Sequence, residues 1–133
     1  MTLREVGIEN ARREADKLLR RFGVESVSHV NVEGFAARLN IALVDAPLDG
    51  ASAQLVVGRG RASIVLSERL TDPAERRCAI AHELGHYVLN HPSPPVGELC
   101  SPRERDYCPD HRDIEGEANG FAVRLLTPWL PYD

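Results

Sequence analysis

Apolar residues return every three or four positions at the start of the chain: Val6, Ala11, Ala15, Leu18, Leu19 and Phe22. This near-helical repeat predicts an amphipathic helix over about residues 4–22. Gly23 is a natural stop, because glycine enters the left-handed conformation that closes helices without a steric cost. A shorter helix is predicted from Val32 to Leu39, with Asn31 as its N-cap. The pattern then shortens to strand-like segments at Ile41–Val44, Ala51–Val57 and Ala62–Leu66. Gly58-Arg59-Gly60-Arg61 fits a hairpin turn between the last two. These elements predict an α+β fold, with a small antiparallel or mixed three-stranded sheet packed on helices.

The second half reads as helical. Asp72 is placed to cap a helix whose first position is Pro73, where the missing N–H costs nothing. This helix is expected to pass through His82 and His86 and end at Leu89 or Asn90, because the residue before Pro92 disfavours helix. Residues 91–112 form a loop with five prolines, and loops of that length in small domains usually serve a function. A final helix is expected from Asp113 to Leu126 or Thr127, followed by an apolar tail of Trp129, Leu130 and Tyr132. No repeat or low-complexity tract interrupts the 133 residues, a length suited to one core. The chain is therefore expected to be one domain over 1–133, with a sheet-containing half at about 1–70 and a helical half at about 71–133.

Composition narrows the function classes. The net charge of −4 argues against a nucleic-acid binder that uses its whole surface. Arg4, Arg12, Arg13, Lys17, Arg20 and Arg21 crowd the first helix, but Glu5, Glu9, Glu14 and Asp16 alternate with them. That mixture predicts a solvated helix face and no direct nucleic-acid partner. No apolar run reaches the length of a signal peptide or of a membrane span. Three cysteines, an odd number, suit a reducing compartment better than a disulfide framework, so a cytoplasmic location away from membranes is expected. Cys100 and Cys108 read as free thiols and Cys78 as a small buried side chain.

The chemistry concentrates at His82-Glu83-Leu84-Gly85-His86. Residues four apart on a helix share a face and stand about 6 Å apart along the axis. Two imidazoles so placed reach one Zn²⁺ at roughly 2 Å. Glu83 is turned about 100° from His82. It therefore flanks the ion and is free to take a proton from an attacking water, which zinc makes more acidic.

A catalytic zinc needs a third protein ligand. His91 lies just beyond the helix end; Glu115 and Glu117 lie on the last helix, about 200° apart around its axis, so they cannot both face one ion. Glu115 is preferred and Glu117 is the alternative, because Asn119 follows Glu115 by one turn and can hold the free nitrogen of a ligating histidine. Tyr107 and His111, in the long loop, are candidates for stabilising an oxyanion or contacting substrate. The strand over 51–57 is a candidate edge for a substrate to join as an added strand.

The helix Ala79-Ile80-Ala81-His82-Glu83-Leu84-Gly85-His86-Tyr87-Val88-Leu89, followed by Glu115-x-Glu117-Ala118-Asn119-x-Phe121-Ala122-x-x-Leu125-Leu126-x-Pro128, resembles the ImmA/IrrE-type metallopeptidases over about residues 5–130. The resemblance implies a minimal gluzincin-like domain, with zinc held by His82, His86 and Glu115 and with Glu83 as general base. It also implies a protein substrate, since many members cleave or inactivate helix-turn-helix repressors in stress responses. Thr127 departs from the methionine usual in the family at that position. Two other readings stand beside the enzyme. One is a non-catalytic protein-binding module, anti-repressor or antitoxin-like. The other is a structural metal site, closed by Cys78 or His91 as a fourth ligand.

Overall fold

Thr2 opens the first helix by accepting the Glu5 N–H at 3.1 Å, and α1 runs Leu3–Arg21. The computed structural model describes residues 1–24, 30–91 and 113–128. Asn31 caps α2, Val32–Arg38, by accepting the Gly34 N–H at 3.0 Å. Asn40, at φ 65°, then turns the chain into β1, Ile41–Ala46. Strands β2, Ala53–Gly58, and β3, Arg61–Ser67, meet through Arg59 and Gly60 at φ 54° and 72°. Two consecutive left-handed residues match the right-handed twist of a hairpin, as the glycine-containing sequence predicts. Asp72 caps α3, Pro73–Val88, and Asp113 caps α4, Ile114–Leu126, accepting the Gly116 N–H at 2.9 Å. The apolar tail at Trp129, Leu130 and Tyr132 lies outside the described residues.

The sheet order is β1-β3-β2. β2 and β3 are antiparallel, with Leu55 opposite Ile64, whereas β1 and β3 run parallel, with Leu43 opposite Ile64. The sheet is thus mixed, and only the hairpin is antiparallel. The chain passes from β1 to the far edge, returns through the hairpin, and lays β3 alongside β1 in the same direction. Alternating apolar residues fix which face of a strand is buried but carry no sign of its direction.

Ile41, Leu55, Ala62, Ile64 and Leu66 form the buried sheet face. Phe35 of α2 and Ile80 and Leu84 of α3 pack toward it, and Leu18 and Leu19 of α1 with Phe121 and Leu125 of α4 complete the same core. Helix α4 packs between α1 and α3, and α3 lies along the edge strand β2. Arg124 pairs with Asp16 at 2.7 Å, tying α4 to α1; Arg76 pairs with Asp45 at 2.9 Å, tying α3 to β1. Among the described residues no helix is long and apolar enough to cross a membrane.

Candidate metal centre

The two halves of the sequence motif meet where α3 crosses α4. Gly85 permits the approach: a Cβ there would stand 3.1 Å from the Ala118 Cα and carbonyl oxygen and 3.2 Å from the Phe121 Cβ. With the helices this close, Glu115 reaches across. One carboxylate oxygen lies 3.0 Å from His82 Nε2 and the other 3.1 Å from His86 Nε2. The two Nε2 atoms are themselves 3.1 Å apart.

Three donor side chains thus converge from two helices. Ligand atoms roughly 2 Å from one tetrahedral ion stand roughly 3.3 Å from one another. The observed spacing therefore suits a shared cation. The proton arrangement agrees. His82 Nδ1–H donates to Asn119 Oδ1 at 2.8 Å, which turns Nε2 toward the carboxylate. A metal ion between the two, or in its absence a proton on Nε2, satisfies both groups. Among the described residues, His82, Glu83 and His86 also offer ligand atoms within 4.8 Å of one another. Distance alone does not choose between the two carboxylates. Engagement does, because the Glu83 carboxylate accepts the backbone N–H of Leu55 on β2 while Glu115 faces both imidazoles.

The electrostatics differ between the groups. Polar contact with His82 and then with His86 holds the Glu115 carboxyl well below the usual range, against its partial burial. His82 moves upward. Burial opposes its charged form, but the hydrogen bond to Glu115 and the charges of Glu83 and Glu115 outweigh that. Glu83 is 8% exposed, and burial raises its pKa although both histidines and the Leu55 N–H pull it down.

Beyond the imidazoles a cleft of about 910 Å³ opens between α3 and the approach to β2, lined by residues 51–54, by Cys78 and by the metal-facing groups. Glu115 borders it, with 40% of its side chain exposed.

Three expectations are revised. Cys78 is exposed and lines the cleft, so it is not a buried filler. Glu117, the alternative third ligand, faces away from the two Nε2 atoms. Its carboxylate is 1% exposed and lies 2.9 Å from His91 Nε2. His91 in turn sets Nδ1 2.9 Å from His86 Nδ1, on the side of that ring opposite the cleft, so it is no ligand of the same ion. The apolar register of α4 carried a usable signal. Ala118, Phe121, Ala122 and Leu125 form its buried stripe, and Glu117 precedes Phe121 by one turn. Tyr107, His111, Cys100 and Cys108 lie outside the described residues.

The family model described as IrrE N-terminal-like domain, Peptidase_M78, matches residues 36–129. That span runs from α2 through the sheet and both metal-facing helices. A search of curated proteins gives no match.

Proposed function

Since this chain belongs to the family of peptidases that share the IrrE N-terminal-like domain, we propose that it is a zinc-dependent endopeptidase acting on a specific cytoplasmic protein. The observation that carries the reading is the convergence of His82, His86 and Glu115 beside a buried, separately held Glu83. His82, His86 and Glu115 are the residues that would hold the ion. Zinc bound there would supply an acidified water and polarise the scissile carbonyl.

The remaining chemistry belongs to the chain's own residues. Burial makes Glu83 a better proton acceptor than an ordinary carboxylate, and the Leu55 N–H fixes where its oxygens point. Glu83 takes the proton of the attacking water and passes it to the nitrogen of the departing amine. Asn119 holds the ring of His82 in the orientation that turns Nε2 inward.

The substrate is an extended segment that enters the cleft beside β2, the edge strand of the sheet. Backbone hydrogen bonds along such an edge suit a flexible stretch of a folded target. A helix-turn-helix repressor is the target class proposed, on the strength of the family resemblance.

The test joins zinc analysis to cleavage of co-expressed candidate repressors, comparing the native chain with Glu83→Gln. One zinc per chain in both, with cleavage in the native chain alone, is expected. Zinc-free native protein would overturn the metal assignment. Loss of repression by Glu83→Gln without cleavage would instead favour the protein-binding module.

A further inference from the structure

The end of α3 is built so that His91 folds back on His86. The His91 N–H donates to the His86 carbonyl at 2.9 Å, the Asn90 N–H donates to the Tyr87 carbonyl at 3.1 Å, and Asn90 takes φ 57°. This is a Schellman closure, in which the two residues joined by the longer hydrogen bond usually make an apolar side-chain contact. Here both are imidazoles, and their Nδ1 atoms lie 2.9 Å apart. The second nitrogen of His91, Nε2, meets the Glu117 carboxylate at 2.9 Å, and both of these side chains are 1% exposed. Gly7 of α1 makes room for that carboxylate. A Cβ there would stand 2.8 Å from the Glu117 Cδ, with Oε2 closer still.

We propose that Glu117 and His91 are positioning residues that set the proton of His86 on Nδ1 and so keep its Nε2 lone pair free for the metal. This deepens the zinc reading above and rests on it.

The argument is one of proton counting. With Glu117 ionised and His91 neutral, the carboxylate only accepts, so the proton between them sits on His91 Nε2. A neutral imidazole with its proton there has none on Nδ1, so His91 Nδ1 accepts. The proton between the two rings therefore belongs to His86 Nδ1, and His86 Nε2 is left bare toward Glu115 and His82. His82 reaches the same state in one step, because the Asn119 carbonyl oxygen accepts directly from its Nδ1. The two histidines are thus fixed by unlike devices, one through an amide and the other through a histidine backed by a buried acid. The purpose of burying Glu117 follows: its charge sets a polarity that reaches the metal face through two rings.

Glu117→Met tests this with little change of shape. The thioether is only a weak acceptor, so nothing holds the His91 proton on Nε2, and His86 Nδ1 loses the acceptor that kept its own proton there. The measurement is the tautomer of each histidine, read from ring ¹⁵N shifts in the zinc-free full chain, together with zinc affinity by competition against a chelator. The native chain should show His86 with its proton on Nδ1 and His91 with its proton on Nε2. Glu117→Met should release the His86 proton from Nδ1, leave His82 unchanged, and weaken zinc roughly 10- to 100-fold. Replacement of a buried acid can impair folding; the native spectrum alone then decides. A native His86 protonated on Nε2 overturns the proposal, as does a folded Glu117→Met chain with unchanged His86 tautomer and zinc affinity. Either result leaves zinc binding and cleavage by the native chain standing, whereas a native chain that takes no zinc removes the underlying reading itself.

Discussion

Gly85 of α3 lies so close to Ala118 of α4 that a Cβ on it would meet the Ala118 Cα and carbonyl oxygen at 3.1 Å. The obstacle is backbone, which cannot rotate away. The residue is in the middle of the histidine motif, and the helix it faces carries Glu115. Gly85→Ala gains up to about 1 kcal/mol of helix propensity. Against that, overpacking costs about 1–3 kcal/mol and forces the helices apart. The net expectation is a destabilised chain whose Glu115 no longer spans both imidazoles. Thermal unfolding and zinc titration should both fall. A variant with native zinc affinity would show that this helix contact does not set the donor geometry.

Removing donors should separate a ligand from the group that supports it. Glu115→Gln keeps the size of the side chain and loses the charge that faces both Nε2 atoms. It is expected to lower zinc affinity more than Asn119→Ala, which removes only the acceptor for His82 Nδ1. Loss of such a supporting partner typically costs roughly 10- to 100-fold in affinity. Calorimetric titration of the two variants against the native chain gives the order. An Asn119→Ala defect larger than that of Glu115→Gln would remove Glu115 as the third ligand.

Much of this arrangement was legible before any coordinates. Asp72-Pro73, the spacing of His82 and His86, and the one-turn offset of Asn119 from Glu115 are local signals, and each is obeyed by the helix that bears it. The parallel pairing of β1 with β3 was not legible, since Leu43 and Ile64 look the same in either direction. Glu117 failed for a different reason. Its partner His91 is 26 residues away, and the pocket that accepts it depends on Gly7, more than a hundred residues upstream. The apolar register of α4 hints at its burial, but long-range packing of α1 against α4 decides which partner that acid meets. The exposure of Cys78 was likewise a matter of where the cleft opens, not of its own helix register.

The Gly7 contact leads to an expectation that runs against helix propensity. Within a helix such as α1, alanine is normally better than glycine by up to about 1 kcal/mol. Here a methyl group would stand 2.8 Å from the Glu117 Cδ. The far end of an exposed glutamate could swing aside, but this one is 1% exposed and engaged by His91. Gly7→Ala should therefore destabilise the chain by about 1–3 kcal/mol, the usual cost of overpacking. Zinc affinity should fall with it, because the displaced carboxylate no longer holds His91. Chemical denaturation together with zinc titration measures both. A more stable Gly7→Ala protein would mean that Glu117 has room to move.

Without metal, the site should stabilise the fold most in mildly acidic solution. The Glu115 carboxyl is depressed below its ordinary 4.5, so its contribution is present above that pH and is lost as pH falls. His82 is raised above its ordinary 6.5, so its contribution is complete below that pH and is lost as pH climbs through the folded value. Glu83 adds to the second trend. Burial raises its pKa above 4.5, so deprotonating it in the fold becomes a cost as pH rises. Glu115 and His82 bracket the maximum between about 4.5 and 6.5, and Glu83 draws it toward the acid end of that window. The amplitude is modest, because 40% of the Glu115 side chain is in contact with solvent. Melting curves in chelator from about pH 4 to about pH 8 should show this maximum, and Glu115→Gln should flatten it. Zinc should reverse the trend, raising Tm more near neutrality than in acid, because protons and metal compete for the same nitrogens. A chelated native chain that melts at the same temperature throughout, or a Glu115→Gln profile identical to the native one, would show that these charges are not coupled in the fold.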